Sequence, residues 1–97
     1  MSAENLLNIT DYVDLRVASR EALRRLGVAS NPGFTNHSIV TGLARVLGQP
    51  NTFADDIDAA EFSGERFRDA LGIILGLEVP PAASDVISGL RNLPREP

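Results

Sequence analysis

The chain has 97 residues, a net charge of −4, one histidine and no cysteine or tryptophan. A chain this short buries only roughly 60–65% of its unfolded surface, which supports one modest core and no enclosed catalytic chamber. The lack of cysteine excludes a disulfide framework, a thiolate nucleophile and a thiolate metal site, and a single imidazole excludes a His-rich one. No apolar run approaches the ~18 residues of a membrane span. Residues 1–4 lack the basic-then-apolar order of a signal peptide, so a cytoplasmic location without membrane contact is expected. All nine basic residues are arginine, the usage of a GC-rich bacterium or its phage.

Glycine and proline punctuate the chain. Gly27, Gly48 and Gly76 each follow an apolar-periodic run, where a helix C′ residue must turn left-handed. Pro32, Pro50, Pro80 and Pro81 lie shortly beyond them. The spacing predicts a first helix over 10–26 with Thr10 or Asp11 as N-cap. Tyr12, Leu15, Ser19, Ala22, Leu23 and Leu26 share its inward face. Val13 and Val17 fall outside that face and mark either a second contact or a competing strand over 12–17. A second helix is expected over 36–47 with Thr35 as N-cap. Its face of Ile39, Val40, Leu43, Ala44, Val46 and Leu47 is broad enough for a central position, and Gly42 at its edge allows close approach of a neighbour.

A short helix over 51–60 is expected next, with Thr52 and Asp55 approximating a capping box. Ser63 then caps a helix over 65–75 with Phe67, Ala70, Leu71, Ile74 and Leu75 inward and Ile73 off the face. Residues 77–79 read as an extended connector. Ser84 is the expected cap of a last helix to about Asn92, with Val86, Ile87 and Leu90 inward. No two strand-like runs pair. The expected fold is all-α: one helical domain over 1–97, a small irregular orthogonal bundle of four to five short helices. Its termini fray at about 1–8 and 94–97.

Residue chemistry gives little support to catalysis. His37 stands at a helix start without a serine and buried carboxylate arranged around it. Asp56 and Asp58 lack the glycine and terminal glutamate of a calcium loop. No enzyme activity, metal or cofactor is expected. Two charged surfaces invite a partner. Arg16, Arg20 and Arg24 recur at i, i+4 and i+8, with Val13 and Val17 beside them; Glu21 can pair with Arg24 or Arg25. The second surface is acidic: Asp55, Asp56, Asp58, Glu61, Glu65 and Asp69. Opposite signs on one chain permit self-association that weakens in salt. Salt-independent assembly would instead point to Val13, Val17 or Ile73.

The leading expectation is therefore a non-enzymatic protein–protein interaction module: a small adaptor, subunit or inhibitor that binds another protein or a second copy. A DNA-binding regulator is the alternative. Residues 21–47 read as helix, loop, helix, but the eight-residue loop 28–35 is long for a helix-turn-helix. The second helix offers bases only Asn36, His37, Ser38, Thr41 and Arg45. A further alternative comes from a resemblance. Ile39-Val40 through Gly48, and Gly76-Leu77-Glu78-Val79-Pro80, resemble stretches of the acyl carrier proteins, over about half the chain. That resemblance implies a small acidic helical bundle carrying phosphopantetheine on a serine. The matching position is Ser63, which sits in Phe62-Ser63-Gly64 rather than the family's Asp-Ser-Leu.

Overall fold

Residues 7–29, 33–49 and 63–93 are described by the computed structural model. The first helix, α1 (Ile9–Arg25), starts where Asn8 leaves the extended conformation and its side chain accepts the Asp11 N–H at 2.8 Å. Asn8 is thus the N-cap expected of Thr10 or Asp11. Asparagine ranks among the best caps because its short side chain reaches a first-turn N–H left over by the helix. Leu7 and Asn8, within the stretch expected to fray, each make a hydrogen bond. The Leu7 N–H donates to Glu65 Oε2 at 2.9 Å, and the Leu7 side chain packs against the core. Residues 12–17 are helical throughout; the competing strand does not form.

Helix α2 (Asn36–Val46) begins at Thr35, whose hydroxyl accepts the Ser38 N–H. Helix α3 (Gly64–Ile74) begins at Ser63, which accepts the Arg66 N–H. Both caps stand where the sequence puts them. The last helix, α4 (Ala83–Arg91), does not: its N-cap is Ala82, with no side-chain hydrogen bond, and Ser84 lies inside the first turn. The start is set by packing instead. Pro81 is buried against Gly72, and a Cβ built at Gly72 would lie 2.5 Å from Pro81 Cγ. That contact delivers the chain to α4 two residues before the expected cap. The short helix expected over 51–60 lies outside the described residues.

The first three helices end alike. Gly27, Gly48 and Gly76 have φ of 88°, 71° and 80°. After α1 the Val28 N–H reaches Leu23 O at 2.9 Å and the Gly27 N–H reaches Arg24 O at 3.1 Å. Gln49 and Leu77 repeat the longer bond after α2 and α3, to Ala44 O and Gly72 O. These are Schellman closures, which satisfy the last helical carbonyls and need a left-handed residue at C′.

The core joins all four helices: Leu15, Ala18, Ala22 and Leu23 of α1, Ile39, Val40, Leu43 and Ala44 of α2, Phe67, Ala70 and Leu71 of α3, and Val86 and Leu90 of α4. The fold is an all-α small helical bundle, with no strand among the described residues. Helix α1 lies most extensively against α4 and also packs on α2 and α3. Helix α2, expected to be central, packs chiefly on α3 and α1; Val46, at the margin of its apolar face, is exposed. Gly42 does admit a neighbour closely: a Cβ there would stand 3.2 Å from Leu23 Cδ2.

Candidate interaction surface

The outward side of α1 is the most apolar stretch of helix left open among the described residues. Ile9 is 77% exposed, Val13 50% and Val17 39%. Their i, i+4, i+8 spacing places them along one slowly turning stripe, about 40° and 6 Å apart per step. Thr10 beside them is also exposed. Val13 and Val17 were expected on this surface. Ile9 was not, because the helix was expected to start at residue 10. Extending the periodicity by one step of four finds it.

The arginine stripe divides into different roles. Arg16, expected outward, is half-buried and turned inward. Its Nη1 donates to Asn36 Oδ1 at 2.6 Å and its Nη2 to Phe34 O at 2.5 Å. Asn36 Nδ2 in turn donates to the Tyr12 hydroxyl at 2.9 Å, and the Tyr12 ring meets Phe67 edge-to-face at 6.3 Å. Charge-assisted bonds of this kind are the strong ones, so Arg16 is a strut between α1 and the start of α2. Arg20 is half-buried and Arg24 exposed. Arg25 reaches across to α4, where Nε donates to Leu93 O at 2.8 Å and Nη2 to Leu90 O at 2.6 Å. A cation there satisfies orphan carbonyls at the negative end of a helix. Glu21, Arg24 and Arg25 line a shallow, open depression.

The acidic surface also loses members to internal contacts. Asp55, Asp56, Asp58 and Glu61 lie outside the described residues. Glu65 binds the Leu7 N–H. That backbone bond and one from its own N–H hold its carboxyl below the usual 4.5; burial works against them, and the Arg68 charge adds a lesser lowering. Asp69 receives Arg68 Nε at 3.1 Å and Nη2 at 3.0 Å. Arg68 is only 4% exposed, a burial that nothing in its sequence position announced.

The other candidates are scattered. Asn36 is buried, His37 and Thr41 are half-buried, and only Ser38 and Arg45 of that set are exposed. Ser63 is exposed and serves as the α3 cap. Ile73 is 49% exposed, as its off-face position foretold, and Val79 is exposed in the connector. Among the described residues no three His, Asp or Glu side chains group to hold a metal ion, and no helix is long and apolar enough to cross a membrane. Comparison with family models, curated proteins and solved structures returned no match.

Proposed function

We propose that this chain is a non-enzymatic interaction module, a small cytoplasmic adaptor, subunit or inhibitor that acts by covering a partner surface with the outer side of α1. The observation that carries the reading is the stripe of Ile9, Val13 and Val17, exposed on a helix whose opposite side is fully packed. Contiguous exposed apolar surface is costly to leave in water and commonly marks an interface. The inward engagement of Arg16, Glu65 and Asp69 moves the weight of the reading from charge to apolar contact.

The test is light scattering on the full chain purified from its host, wild type beside a Val13→Lys/Val17→Lys variant. The wild type is expected to run as an assembly, with itself or a bound protein, and the variant as a folded monomer with the same circular dichroism. An assembly that survives both substitutions overturns the reading. So does a wild-type monomer with no protein bound; if that monomer carries nucleic acid at low salt, the regulator alternative takes its place.

A further inference from the structure

We draw no further inference here: the strongest candidate, the exposed apolar face of α1 formed by Ile9, Val13 and Val17, carries nothing beyond the reading above, because nothing in the structure shows what covers it.

Discussion

Two long sides of α1 are finished to different degrees. Toward α2, Tyr12 and Arg16 form an edge in which Asn36, Phe34 and Phe67 answer each polar or aromatic group. On the outward side, Ile9, Val13 and Val17 meet no such answer and stay exposed. The edge is where the helix is fixed in place; the stripe is where it remains available. The lesson is that formal charge is a poor guide to an open surface in so small a bundle. Here the guanidinium of Arg16 is absorbed by the fold, while Arg24 stays exposed along with the aliphatic side chains of Ile9, Val13 and Val17.

The contrast is broken most forcefully at the core. Leu15→Ala removes a fully buried side chain and is expected to cost about 2–5 kcal/mol. Val13→Ala, two residues away but outward, should fall within about ±0.5 kcal/mol. Urea unfolding of the two variants checks the difference; equal costs would erase the distinction between the two sides. A smaller effect separates two arginines of one stripe. Arg16→Met loses two charge-assisted bonds and is expected to destabilise by roughly 1–3 kcal/mol. Arg24→Met should change stability little, and thermal unfolding in parallel reads both.

The smallest expected effect concerns the start of α1. The folded carboxyl of Glu65 titrates below its usual value, so its contribution is fully present above the unfolded value of about 4.5 and is lost as pH falls through the folded one. Stability in that acid window should therefore rise more steeply with pH in the wild type than in Glu65→Gln. Identical pH profiles would show that the Leu7 contact contributes nothing.

What was legible in the sequence was local. Thr35 and Ser63 act through an N–H three residues on, and Gly27, Gly48 and Gly76 close the turn just finished. Such features need no knowledge of the fold, and they placed three helix ends and two starts. What was not legible depends on partners far along the chain. Arg16 finds its acceptors 18 and 20 residues away, Glu65 its donor 58 away, and Arg25 its acceptors 65 and 68 away. The wheel of α1 shows which way a residue leans, and no wheel shows that an arginine at the margin will be claimed by another segment. The start of α4 was missed for the same reason, since Pro81 seated against Gly72 outweighs a serine's capping preference.

The bonds from Arg25 to Leu90 and Leu93 carry a consequence for biosynthesis. Helix α1 leaves the ribosome first, yet its largest packing partner, α4, is among the later segments to be made. Its inward leucines and its outward valines are then exposed together, so the nascent helix presents apolar surface on both sides. Non-local contacts of this kind form only after their loop-closing cost has been met. The α1–α4 contact can therefore close only after Leu90 has emerged, and until then the inward face of α1 lacks its largest partner and is open to chaperones or to wrong partners.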